Sequence, residues 1–102
     1  GINRVRVTDP FDVEGTRAVI KEELAASEPS LIISRRPCAL LKGVKSLPAM
    51  KVDVQKCVGC RACLSVGCPA ISVKDRKAVI DPAQCLGCGV CAYACRTNAI
   101  VR

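Results

Sequence analysis

Cys57-Val-Gly-Cys60-Arg-Ala-Cys63-Leu-Ser-Val-Gly-Cys68-Pro69 and Cys85-Leu-Gly-Cys88-Gly-Val-Cys91-Ala-Tyr-Ala-Cys95-Arg96 hold eight of the nine cysteines of this 102-residue chain. The two runs stand in register, Cys57 matching Cys85, and each opens with three cysteines spaced by two residues. Thiolates at i, i+3 and i+6 on a tightly looped backbone can face one iron-sulfur cubane corner by corner, and a fourth ligand must then come from elsewhere. Separate disulfides fit such close spacing poorly, and no secretory signal begins the chain. A zinc site draws on two Cys-x-x-Cys pairs and has no use for a third cysteine at the same spacing. A structural zinc module therefore remains only as an alternative to two [4Fe-4S] clusters.

The doubled run resembles the bacterial two-cluster ferredoxin pattern, in which the fourth cysteine of each run serves the other cluster. The resemblance implies one cluster on Cys57, Cys60, Cys63 and Cys95, and a second on Cys85, Cys88, Cys91 and Cys68. Gly59 and Gly87 sit at matching places inside the first Cys-x-x-Cys of each run. A residue free to take positive φ there lets the backbone wrap the inorganic core and aim N–H groups at sulfur, which helps set the reduction potential.

Composition narrows the rest. Phe11 and Tyr93 are the only aromatic residues, so large rings cannot fill the core, and two cubanes would supply the missing volume. There is no histidine, which removes Rieske ligation, His-containing zinc sites and histidine bases. No apolar run approaches a membrane span, and thiols kept for metal point to the cytoplasm. The formal charge of +7 falls to about +3 when eight thiolates and two oxidised cores of +2 each are counted. Residues 1–50 carry eight basic and six acidic side chains, residues 51–102 eight and three. No dense basic cluster or aromatic platform suggests nucleic acid. Lys51, Lys56, Arg61, Lys74, Arg76, Lys77 and Arg96 are instead suited to steer an acidic redox partner.

Upstream, residues 4–8 alternate as a short strand. The Asp9-Pro-Phe-Asp12 segment breaks it, and Asp12 is placed to cap a helix running to about Ser27, before Pro29. Val13, Arg17, Ile20 and Leu24 are expected to form one face of this helix, with Val19 and Ala26 nearby. Ser30–Ser34 reads as a second strand, which favours parallel pairing across the helix. Such a unit leaves a sheet face and both edges uncovered, so residues 1–41 are expected to be the tail of a larger domain. Cys38, after the second strand, reads as a small buried residue.

Residues 42–50 have linker composition, and residues 51–102 form the cysteine domain. Lys51–Val54 and Ile80–Pro82 precede the two runs, while Ala70-Ile71 and Ala99-Ile100 follow them, the mark of an internal duplication. Residues 72–80 read as a hairpin turning at Asp75-Arg76, the ends near Val52 and Val101 should pair, and short helical turns should follow Cys63 and Cys91. The fold class expected is α+β: a two-[4Fe-4S] ferredoxin-type domain with pseudo-twofold symmetry, behind a strand-helix-strand α/β piece.

Ser34-Arg-Arg-Pro-Cys-Ala-Leu-Leu41, the linker and the two cysteine runs together resemble the C-terminal end of the large (alpha) subunit in the indolepyruvate:ferredoxin oxidoreductase family. The segment Asp9-Pro-Phe-Asp12 is similar to that family too. The resemblance implies that residues 1–41 end a thiamine-diphosphate-binding domain, whose cofactor and Mg²⁺ would lie upstream. It also implies CoA-dependent oxidative decarboxylation of arylpyruvates, a beta subunit, and an external ferredoxin as electron acceptor. No Gly-Asp-Gly motif for the metal diphosphate is present, so these residues are expected to transfer electrons without catalysis of their own. A free-standing ferredoxin or a delta-type subunit is the alternative. Two departures from the ferredoxin pattern stand out: four residues separate Cys63 from Cys68, a spacing that the resembled family shares and where Gly67 can absorb the extra one, and after Cys95 Arg96 stands in place of the proline that follows Cys68, with Thr97 and Asn98 before Ala99.

Overall fold

The computed structural model describes residues 1–102 and divides into two units, Gly1–Lys42 and Gly43–Arg102.

In the first unit, β1 (Arg4–Thr8) and β2 (Ser30–Ser34) pair in parallel, with Arg4 opposite Ser30 and Thr8 opposite Ser34. Between them runs α1 (Val13–Leu24). Asp12 caps it as the sequence suggests, its Oδ1 accepting from the Gly15 N–H at 3.0 Å. The helix stops short of Ser27. Glu28 precedes a proline and is steered away from helical backbone, so the chain must leave the helix earlier to enter β2. Beyond the strands, Arg36 pins Asp9-Pro-Phe-Asp12 to the end of β2: its guanidinium lies 2.5 Å from the Asp9 carboxylate and stacks 3.9 Å above the Phe11 ring.

The helix does not bury the face that its apolar stripe suggests. Leu24 is 81% exposed and Ile20 41%, whereas Glu23 is buried and Thr16 and Val19 are half-buried. The reason lies in the strands. Arg4 and Arg6 point toward the helix, and Arg4 Nε meets Glu23 Oε2 at 2.9 Å while Arg6 reaches Glu22 at 3.1 Å. Polar residues on that side of the sheet thus select the polar side of the helix. Strand alternation sends Val5, Val7, Leu31 and Ile33 to the opposite face, where they are 48, 54, 45 and 41% exposed. Cys38 is exposed rather than buried, because it lies past the strand in irregular chain.

The second unit contains two antiparallel strand pairs. β3 (Lys51–Val52) pairs antiparallel with β6 (Ile100–Val101), and β5 (Lys77–Ile80) with β4 (Ile71–Lys74). Lys51 faces Val101 as Val79 faces Ser72, and Val52 faces Ile100 as Ile80 faces Ile71. The Asp53 N–H donates to the Ala99 carbonyl at 2.7 Å, and the Asp81 N–H to that of Ala70 at 2.8 Å. The hairpin turns at Asp75-Arg76 as the sequence indicates, both with positive φ, the signature of a type I′ turn. The helical turns contain Cys63 and Cys91 rather than following them: a 3₁₀ turn at Ala62–Val66 and α2 at Val90–Ala94.

Composition places Pro48 and Met50 in the linker, yet both belong to this unit: Met50 is buried, and a Cβ on Gly87 would collide with the Leu47 and Pro48 carbonyls. The core comprises Met50, Cys57, Cys63, Ala70, Ile71, Ala78, Cys91, Ala99 and Ile100, and no large side chain is fully enclosed. It is organised around thiols rather than rings.

Candidate metal centres

Each cysteine run is launched the same way. Asp53 Oδ1 accepts from the Gln55 N–H at 3.0 Å and Asp81 Oδ1 from the Ala83 N–H at 2.9 Å, while the same aspartates' carbonyls receive the N–H groups of Cys57 and Cys85. These side-chain turns start the two loops in equivalent conformations. Sequence reading passed over both aspartates, although the offset that relates Cys57 to Cys85 also relates Asp53 to Asp81. Gly59 and Gly87 then take φ of 71° and 68°, as the sequence suggests. A Cβ on Gly59 would collide with the Arg76 carbonyl, as one on Gly87 would with Pro48. The loops are therefore clamped crosswise, each by backbone from the other half. Gly67, at φ 68°, ends the 3₁₀ turn and takes up the extra residue before Cys68.

The eight cysteines line two cavities. Cys57, Cys60 and Cys63 share one with Cys95, and Cys85, Cys88 and Cys91 share the other with Cys68. Val52, Val73, Ala78 and Ile100 complete the first, and Met50, Ile71, Ile80 and Leu86 the second. Nowhere do three Cys, Asp or Glu side chains converge as a site for one metal ion. Zinc would gather its sulfurs about 2.3 Å from a single point, whereas thiols standing around a cavity suit a ligand with separated iron corners. The donor set, four thiols per cavity, fits a [4Fe-4S] cubane.

Electrostatics differ among these thiols. Burial, and then the neighbouring Cys88, push the Cys91 thiol up to about 11. Cys63 is raised by burial too. Both must shed their protons to metal. At Cys95 burial also works upward, but the N–H groups of Thr97 and Ala99, with the Thr97 hydroxyl, outweigh it and lower the thiol. The Ala99 N–H lies 3.2 Å from Cys95 Sγ and Thr97 Oγ1 3.7 Å away. Cys85 Sγ receives the N–H groups of Met50 and Gly87, each at 3.4 Å. Thr97 and Ala99, just past Arg96, thus supply the donors to the Cys95 sulfur. Two other side chains that sequence reading did not place brace the loops: Lys77 donates to the Cys57 carbonyl, and Arg102 to that of Gly87 at 3.3 Å.

Residues 49–96 match the model of the 4Fe-4S dicluster domain. That stretch is a 4Fe-4S dicluster domain. Its cofactors are two [4Fe-4S] clusters, and the match decides the choice between iron-sulfur and zinc. Over nearly its whole length the chain is also homologous to the indolepyruvate oxidoreductase subunit IorA. It is 39% identical to that of Pyrococcus horikoshii and 39% to that of Thermococcus kodakarensis, each over 97% of this chain and 17% of the relative. To that of Archaeoglobus fulgidus it is 31% identical over 98% of this chain. The chain spans about a sixth of the length of these curated relatives. The dicluster domain accounts for the second unit, and the homology extends through the first. No helix is long and apolar enough to cross a membrane.

Proposed function

We propose that this chain is the electron-exit segment of a cytoplasmic, thiamine-diphosphate-dependent 2-oxoacid:ferredoxin oxidoreductase acting on indolepyruvate or related arylpyruvates to form an acyl-CoA and CO₂. The observation that carries the reading is the sorting of eight thiols into two cavities, each taking three from one run and the fourth from the other. Cys57, Cys60, Cys63 and Cys95 hold one cluster, and Cys85, Cys88, Cys91 and Cys68 the other, related by a pseudo-twofold axis. Bound clusters supply one-electron transfer without proton movement.

The chain's own residues set the conditions for it. Val52, Val73, Ala78, Met50 and Ile80 keep water from the thiols, and backbone N–H groups directed at Cys85 and Cys95 favour the more reduced state. Residues 1–41 are the end of the thiamine-diphosphate-binding domain, and Val5, Val7, Leu31 and Ile33 form the face that the remainder of that domain covers. The homology to IorA supports this placement, and with it the rest of the alpha subunit, a beta subunit and an external ferredoxin as partners. The segment that starts at residue 42 joins the two parts, with Pro48 and Met50 already packed in the second.

Iron and sulfide analysis of anaerobically prepared protein, with EPR after dithionite reduction, tests the reading. About eight iron and eight sulfide per chain with interacting signals from two neighbouring clusters is expected. Four of each, or zinc without sulfide, contradicts it. Replacing Cys68 or Cys95 by Ser should each disturb the cluster whose three other ligands lie in the opposite run.

A further inference from the structure

We infer that the rim of the first cysteine loop is the docking face for an electron-carrier protein with an acidic surface, so that the Cys57–Cys60 end of the domain, and not the Cys85–Cys88 end, meets the carrier. This rests on the electron-transfer reading above and assigns a direction to it. Three observations of different kinds agree.

The first is charge. Arg61 lines the cavity of Cys57, Cys60, Cys63 and Cys95, and the hairpin brings Lys74, Arg76 and Lys77 to the same loop through the Lys77 bond to the Cys57 carbonyl and the Arg76 carbonyl packed on Gly59. Asp75 is the one acid among them, and the ion pair within this unit joins Lys56 to Asp53 instead. From Ala78 to Cys95 there is no Lys or Arg, and Asp81 is the only charged residue. Arg102 is bonded to the Gly87 carbonyl of the second loop as Lys77 is to the Cys57 carbonyl of the first, so the difference in charge between the loops rests on the exposed Arg61, Lys74 and Arg76.

The second is exposure, compared at equivalent positions. Cys60 is exposed where Cys88 is half-buried, and Val58 is 68% exposed against 46% for Leu86. Gly59 is half-buried and Gly87 buried. Cys57 itself is buried where Cys85 is half-buried, so the approach to the first cluster lies at the Val58–Cys60 tip of the loop.

The third is backbone conformation. Arg61 has φ 61°, while its counterpart in the second run is Gly89 at φ 77°. Arg76 has φ 61° at the second central position of the type I′ turn, where glycine is favoured. Left-handed backbone disfavours any residue with a Cβ, so both arginines stand where glycine would make the better fold. Asp75 and Asn98 share this backbone, but Asp and Asn are the side chains that tolerate it best; the two arginines that adopt it both stand on this rim, which points to use of their guanidinium groups. The rim offers no aromatic side chain for base stacking, which favours an acidic protein over nucleic acid.

The test uses the whole chain, loaded with clusters, and an oxidised acidic two-[4Fe-4S] ferredoxin as probe, with basic cytochrome c as counter-probe. Arg61→Gly combined with Arg76→Gly removes two charges while giving each position its favoured residue, so misfolding does not explain a loss. The association rate constant for the ferredoxin at low ionic strength should fall about tenfold, its salt dependence should flatten, and cytochrome c should bind neither protein. Lys45→Gln, which removes an exposed charge from the segment whose Leu47 and Pro48 pack on Gly87 of the other loop, should change the rate less than about twofold. An unchanged rate in the double variant, an equal loss in Lys45→Gln, or a loss confined to binding of a short single-stranded DNA overturns the docking face. Iron and sulfide are measured on every preparation. Clusters missing from the unsubstituted chain contradict the electron-transfer reading itself, whereas full loading with unchanged association contradicts only the inference drawn here.

Discussion

Gly59 and Gly67 share a left-handed conformation but not a neighbourhood, and the difference separates two kinds of glycine requirement. At Gly67 a Cβ meets nothing within 4 Å, so Gly67→Ala should cost only the backbone penalty, about 1–2 kcal/mol. At Gly59 the Arg76 carbonyl must also move, and with it the hairpin turn. Gly59→Ala should therefore exceed the cost of Gly67→Ala and speed iron loss, as followed by the decay of cluster absorbance in denaturant. Thr97 makes a subtler case. Its hydroxyl faces Cys95 Sγ, and a donor to sulfur stabilises the more negative, reduced state. If the bond strengthens by about 0.5–1 kcal/mol on reduction, Thr97→Val should lower that cluster's midpoint potential by roughly 20–40 mV, measurable by EPR-monitored redox titration. Cysteine spacing made all eight candidate ligands legible in the sequence. The aspartates that start the loops, and Lys77 and Arg102 that brace them, were not, because their roles depend on backbone atoms distant in the chain.

Among the elements, both long strands and the hairpin turn were readable from alternation and from Asp75-Arg76, since each signal is local. The helix face was not. Periodicity identifies an apolar stripe, and the usual inference is that a helix lays that stripe on its own sheet. Here Arg4 and Arg6 occupy the strand face that meets α1, so Glu23 turns inward and Ile20 and Leu24 outward. Hydrogen bonding from Arg4, opposed by burial, holds the Glu23 carboxyl below its ordinary value of 4.5. A depressed folded-state value means that the stabilisation is complete above about 4.5 and is lost as pH falls through the lower, folded value. Amide exchange across α1 should accordingly speed up in that acid window, and Glu23→Gln should make it fast already at neutral pH. An acid-insensitive α1 would show that the Arg4 contact contributes nothing to the helix.

The whole molecule joins two units with different deficits. Apart from Met50, Ile71 and Ile100, Gly43–Arg102 buries only alanine side chains and thiols, with no large side chain fully enclosed, too little apolar volume to hold a unit of that length without its clusters. Anaerobic removal of iron by a chelator should abolish amide protection in both strand pairs of this unit together, rather than one pair at a time. Gly1–Lys42 has the opposite difficulty, an excess of apolar surface. Replacing Val7 and Leu31 by Thr should reduce self-association of this chain in sedimentation experiments while leaving the circular dichroism of α1 unchanged.

The crosswise clamp, Arg76 over Gly59 and Pro48 over Gly87, bears on how the domain fails. Each loop is seated by chain from the opposite half, so neither has a foundation of its own. Damage that unseats one loop should therefore loosen the seat of the other, so that in air the second cluster should be lost faster once the first has gone, as iron content followed over time would show.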